Sequence, residues 1–499
     1  MWVAFIGLLL FLVSALMHPL MVWTGPQSVQ FRPPSLSFEQ QQAQQQLAHG
    51  LTQLSRLDKS GLQVAKLAPT GQGAMLQVSR SDSEPREYFA LSESQASYSD
   101  ELQALWLAQY YSGESREVAS LLRVEAFSTE YPSVNRLLPV YKVVYEGRDN
   151  LSVFVHTETN ALAGINNDWK RGLQSLFQWL HTWSWLDALP ELRVLVISAL
   201  MISLLFMSVA GILLLLFFKR RVYPQSSIAL HRTSAWVVCL PLLALSFSGL
   251  YHVLQGALVE DIEPTRLLPA AVVTPVVNEL SAFRGVAPLA ARLDVSAVVN
   301  SLQGRSINSL SLLQFESEWL VRASIAQGRH RPDANGGEHS HSSQPLSERN
   351  KRFDGRSSES GAQFYSLEGE HLASLSDQVV VTQLARQWLA LPQSQALSLS
   401  RVTRFGPDYD FRNKRLPVWR VDVENAAEDR LFIDPVSGLL VDHQRPQGQW
   451  ERWSFSNLHK WNPLVPFIGR EGRDLVVVLM LCLIGLTAWF GYRVRASRR

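Results

Sequence analysis

Residues 236–254 read WVVCLPLLALSFSGLYHVL, apolar nearly throughout, with one histidine near the far end. Laid without gaps on residues 2–20, WVAFIGLLLFLVSALMHPL, the stretch puts Trp236 on Trp2, Leu242 on Leu8, Ser248 on Ser14, Leu250 on Leu16 and His252 on His18. Hydrophobicity accounts for the leucines. It does not account for an imidazole at the same depth in both, since a polar ring near the hydrocarbon needs a partner or a ligand.

Four windows are long enough to cross a bilayer, which takes roughly 20 apolar residues: 2–23, 194–218, 235–255 and 475–492. The first lacks a basic leader and a small-residue cleavage site, and it repeats an internal segment, so it reads as an anchor and not a signal peptide. Lys219, Arg220, Arg221 and Arg232 crowd the short connection between the second and third windows, and Arg493, Arg495, Arg498 and Arg499 follow the fourth. Basic residues mark the cytoplasmic side. Both termini are then expected inside and both long regions outside, periplasmic in a Gram-negative cell. The expected parts are span 1–23, outer domain 24–193, span 194–218, basic loop 219–234, span 235–255, outer domain 256–473, span 474–492 and tail 493–499.

The chain's 499 residues suit several domains, and its net charge of +2 gives no basic excess for nucleic acid. The only cysteines, Cys239 and Cys482, lie in apolar windows, so the outer regions hold no disulfide or Cys-based metal motif. Trp23, Trp179, Trp183, Trp453 and Trp461 flank the windows as an interfacial belt. No phosphate-binding Gly loop, His-Glu-x-x-His helix, nucleophile elbow or dinucleotide fingerprint occurs.

In the first outer region a Gln-rich helix is expected over 38–57, a strand pair at 62–67 and 73–80, and a helix at 99–111. Residues 138–165, LPVYKVVYEGRDNLSVFVHTETNALAGI, then alternate as two strands with a turn at 147–150 and a third strand after Thr159–Asn160. Residues 416–443, LPVWRVDVENAAEDRLFIDPVSGLLVDH, end the second region in the same way: Phe432 falls on Phe154, Asp434 on His156 and Gly438 on Asn160, a Gly and an Asn suited to positive φ. A helix is expected at 376–391. The polar stretch 327–361 is expected to be disordered; its His330, His339 and His341 read as a solvated loop or an opportunistic metal site. FQWLHTW at 177–183 matches FSNLHKW at 455–461, so His181 falls on His459. The chain thus reads as two copies of span, outer domain, span, related by an axis along the membrane normal.

The LPVWRV…FIDPVSG pattern resembles a PepSY domain, an α+β module of a helix on an antiparallel sheet. Two such modules, four spans and the Leu-His motifs together resemble the PepSY-associated transmembrane family over essentially the whole chain. The expected fold class is therefore a four-helix membrane protein with two α+β PepSY-like outer domains and an internal twofold repeat. The family includes iron-regulated membrane proteins and inner-membrane ferric-siderophore reductases that use b-type haem. Its His-Arg pattern at the inner start of both odd spans appears here only as His231-Arg232; the matching first-copy position falls before Met1.

Bis-imidazole ligation from two helices is a common way to hold electron-transfer haem. At helical rise His18 and His252 lie roughly 24 Å beyond the inner starts of their spans, and His231 about 31 Å from His252. His18, His252, His181 and His459 are thus expected near the outer face, and His231 at the inner one. One or two haem b groups follow, with His18 and His252 as preferred iron ligands and His181 with His459 as the second pair. The expected partners are the bilayer, quinol or a membrane electron donor, and a ferric siderophore; nucleic acid is not expected. The chain then reads as an electron-transfer protein, with a cofactor-free regulatory module of protease-inhibitor type or a transport component as the other readings.

Overall fold

The computed structural model describes residues 2–30, 32–34, 64–80, 84–92, 95–218, 227–259, 297–298, 301, 307–315, 318–326, 359–406 and 408–496. The chain forms two compact units: residues 1–26, 166–261 and 445–499, and residues 27–165 and 262–444.

The first unit holds four helices long and apolar enough to cross a membrane: Trp2–Thr24, Pro190–Phe217, Ser227–Leu258 and Val465–Ala496. They outrun the apolar windows because helical hydrogen bonding does not stop where the side chains turn polar. Pro190 starts the second helix four residues early, at a position where its missing N–H costs nothing. All of the last eight residues of the expected basic loop 219–234 are already helix, and residues 219–226 lie outside those described. Gly469, at φ 70°, interrupts the fourth helix near its start. Leu8, Leu12, Ile197, Met201, Leu204, Val238, Leu481 and Ile484 form the shared core. Small residues let the helices close up: a Cβ on Gly7 would stand 3.0 Å from Leu200, and one on Gly211 3.1 Å from the Cys239 sulfur.

The second unit carries fourteen strands among the described residues. The first inter-span region gives β1 (Val64–Thr70), β2 (Gly73–Ser79), β3 (Glu87–Phe89), β4 (Val118–Val124), β5 (Val140–Tyr145), β6 (Ser152–His156) and β7 (Ala161–Asn166). The second gives β8 (Ile307–Phe315), β9 (Glu318–Ala326), β10 (Glu359–Tyr365), β11 (Leu397–Val402), β12 (Val418–Val423), β13 (Arg430–Asp434) and β14 (Leu439–Gln444). Two antiparallel sheets have the same order, β4-β5-β6-β7 and β11-β12-β13-β14. Each is covered by a helix, Asp100–Ser112 or Asp377–Trp388, capped by Ser99 or Ser376 as the S-x-x pattern allows. Leu107, Ala108 and Tyr111 pack on Val143, Val153 and Val155; Val381, Leu384 and Ala385 pack on Val421, Leu431 and Ile433.

The likeness extends to details. Phe154 lies opposite Lys142 and Phe432 opposite Arg420. Each phenylalanine stacks on a tyrosine at 4.9 Å, Tyr131 or Tyr409, whose hydroxyl donates to the Leu137 or Arg415 carbonyl. Asn160 and Gly438 both take positive φ, as expected.

A third sheet was not foreseen. Its order is β10-β9-β8-β1-β2-β3, with β1 pairing antiparallel to β8 through Ala65 opposite Leu312. The two regions, read from sequence as separate domains, share one sheet and one core that runs from Leu67 and Val78 to Leu312 and Tyr365. Strand β10 also takes residues 359–361 out of the stretch expected to be disordered. The rest of that stretch and the helix expected at 38–57 lie outside the described residues.

Candidate functional site

The first unit brings four of the five singled-out histidines into one cluster. After the helices Asp168–Phe177 and Pro446–Ser454 the chain opens into single π-helical turns, Gln178–Thr182 and Phe455–His459. Such turns are rare and recur at functional sites. They carry His181 and His459, and both segments end on a tryptophan in the left-handed region, Trp183 at φ 55° and Trp461 at φ 53°. A bulky residue held there is an outlier that the surroundings must enforce.

The His181 and His459 ring centroids stand 6.4 Å apart, with the planes at 75°. Behind each lies a stacked phenyl ring: Phe177 at 4.7 Å from His181, Phe455 at 4.9 Å from His459. Against the phenyl rings lie the outer histidines, His18 at 6.5 Å from Phe177 and His252 at 4.5 Å from Phe455. These contacts gather His18, Phe177, His181, His459, Phe455 and His252 into one cluster of rings. Within it the His181 and His459 rings meet each other, whereas His18 and His252, preferred from register alone, each lie against a phenylalanine.

The serines aligned in the sequence hold the central rings. Ser14 Oγ lies 2.9 Å from His181 Nδ1, and Ser248 Oγ lies 3.2 Å from His459 Nδ1. Both serines are buried. The Ser14 hydroxyl donates its hydrogen to the Phe11 carbonyl at 3.0 Å. Toward His181 it therefore accepts, which puts the imidazole hydrogen on Nδ1 and leaves the Nε2 lone pair free. Lys460 Nζ sits 4.6 Å over the Phe455 ring. His252 Nδ1 meets Glu451 Oε1 at 2.5 Å.

No family model, curated protein or solved structure matches the chain. The chemistry of the site must be read from its donors. Imidazole nitrogens bind transition metals at about 2 Å, so two rings facing one ion from opposite sides have centroids roughly 6 Å apart. The central pair stands close to that spacing. Among the described residues no three or more His, Cys, Asp or Glu side chains converge on one point. The central pair could supply two imidazole nitrogens to one metal ion.

His231 stands apart. Its Nδ1 donates to the Thr487 carbonyl at 2.9 Å, and its ring lies where a Cβ on Gly491 would come within 3.0 Å. That is a packed helix contact. His330, His339 and His341 lie outside the described residues. Sequence reading missed Phe177, Phe455, Ser14 and Ser248 as site residues. All four were in view as repeated letters in the aligned stretches, two in F-x-x-L-H and two at one register position of the odd spans.

Proposed function

We propose that this chain is a bacterial inner-membrane electron-transfer protein that carries b-type haem between His181 and His459 and reduces a ferric chelate or another outer acceptor. The observation that supports the reading is the central imidazole pair, matched in sequence, with ring centroids 6.4 Å apart, which would let His181 and His459 hold one iron between them. Bound there, haem supplies one-electron exchange between a donor and an acceptor.

The rest is the work of side chains. Ser14 fixes the His181 tautomer, so that Nε2 is the ligand and Nδ1 keeps its hydrogen. Phe177 and Phe455 stack on the outer faces of the two imidazoles, hold their planes and keep water away from them. His18 and His252 lie against those phenyl rings and are the ligand candidates for a second haem. Glu451 orients the His252 ring through the contact at Nδ1.

The arrangement of two PepSY-like copies, with both termini inside and residues 24–193 and 256–473 outside, is part of the proposal. It rests on the matched sheets and on the clustering of basic residues at 219–232 and 493–499. A quinol or a membrane protein is the fitting electron source, because the chain has no dinucleotide fingerprint.

The test is a reduced-minus-oxidised spectrum of full-length protein purified from haem-replete cells. A Soret band that shifts on reduction is expected. A colourless protein with intact fold overturns the reading.

A further inference from the structure

In the second unit, charged side chains are buried with their donors unfilled. Register puts Lys66 of β1 opposite Gln77 of β2, and Gln77 opposite Tyr88 of β3; alternation adds Ser79 and Arg86 to the same face. All are buried or nearly so, and that face meets the β6–β7 turn at Thr157 and Glu158. Arg86 is 3% exposed. Among the described residues it pairs with Glu158 at 3.5 Å, and its Nε and Nη1 have no hydrogen-bond partner. The Ser79 and Thr157 hydroxyls are unpartnered there as well, as are the acceptors Gln77 Oε1 and Asp100 Oδ2. Lys66 spends one donor on the Glu158 carbonyl.

Lys66, Arg86 and Arg415 stand beside the carboxylates Glu158 and Asp434, which Arg415 bridges at 3.2 and 3.1 Å. A third carboxylate, Asp100, accepts from the Tyr88 hydroxyl at 3.0 Å, so three cations face three carboxylates while the Arg86 N–H groups stay unfilled. His156, at the edge of this cluster, adds no negative charge. Burial pushes its pKa well down, and Arg86 pushes it further, so it stays neutral. Burial likewise pulls Lys66 down to about 8, against the pull of Glu158. A buried guanidinium with empty N–H groups is costly unless an acceptor meets them.

We propose that these unfilled donors bind a small oxyanion of the phosphate or sulfate type, held by Arg86 with help from Lys66, Ser79 and Thr157. Guanidinium N–H groups and hydroxyls are the donors such an anion takes. The anion is enclosed where strands from both inter-span regions meet, so its role is to lock that junction. This inference is independent of the haem reading.

The test is the thermal midpoint of the full-length protein in detergent, in phosphate and in sulfate, against chloride at equal ionic strength. A ligand that binds only the folded state raises the midpoint, here by about 2–4 °C at saturation. Arg86→Lys keeps the charge but loses Nε and Nη1, and is expected to remove the rise. Should that variant fail to fold, Thr157→Val, which keeps the charges, is expected to shrink it. Equal midpoints in all three salts, or an undiminished rise in the folded variants, overturns the proposal and leaves those donors to water.

Discussion

The two halves of the membrane unit agree around the central imidazole pair of the ring cluster and differ at its outer histidines. Ser14, His181 and Phe177 have the same mutual contacts as Ser248, His459 and Phe455. The outer histidines do not match. His252 is paired with Glu451, whereas the residue aligned with Glu451 in the first half is Leu173, and His18 meets the Phe177 ring. On the proposed repeat, a contact kept in both halves points to a task they perform together, and a difference points to a division of labour. The central pair fits the first description and the outer histidines the second.

Breaking the centre is expected to have the largest effect. His181→Ala or His459→Ala should abolish the Soret absorbance per protein, while His18→Ala and His252→Ala should retain a Soret band. Full haem in both central variants would return the ligands to the outer pair.

The next effect separates the halves of the second unit. The aligned helices Asp100–Ser112 and Asp377–Trp388 each open on an aspartate. Tyr88 holds the first, and the fully buried Arg322 holds the second together with Glu359. Arg322→Met leaves Asp377 buried without its cation and Glu359 with Arg401 alone, and should cost about 3–5 kcal/mol in denaturant unfolding. Tyr88→Phe removes one hydrogen bond to a charged group and should cost about 2 kcal/mol.

Lys66 provides a pH test. Its folded pKa lies near 8, below the ordinary 10.5, so the unfolded chain binds the proton more tightly. Stability contributed by this group rises as pH climbs from about 8 to about 10.5, by about 3 kcal/mol. Unfolding of wild type against Lys66→Met across that range should show the wild type gaining on the variant; parallel curves would refute it.

The smallest effect is expected at the differing outer histidine. Glu451→Leu copies the first half into the second. It should leave haem content unchanged and alter stability by less than about 1 kcal/mol, since His252 is exposed. A lost Soret band would mean that Glu451 supports the site directly.

Much of this was legible in the sequence because it is local. Apolar windows, period-two alternation, the Ser99 and Ser376 caps and the Asn160 and Gly438 turns each depend on a few neighbouring residues. Depth along a helix is also readable, and it brought His18, His181, His252 and His459 to one level. Which of them face each other depends on the π-helical turns and on Trp183 and Trp461 in the left-handed region, and no spacing rule reports those. The pairing of β1 with β8 joins residues far apart in the chain and leaves no local trace.

That pairing bears on how the protein is made. On the proposed topology β1, β2 and β3 reach the far side of the membrane first, and their outer neighbour β8 follows only after two further spans have been threaded. Until then β1 presents an open edge, the kind of surface that recruits stray strands. The nascent chain must therefore be shielded through most of its synthesis, and a product cut short after the second helix would emerge with an unfinished sheet, ready for proteolysis.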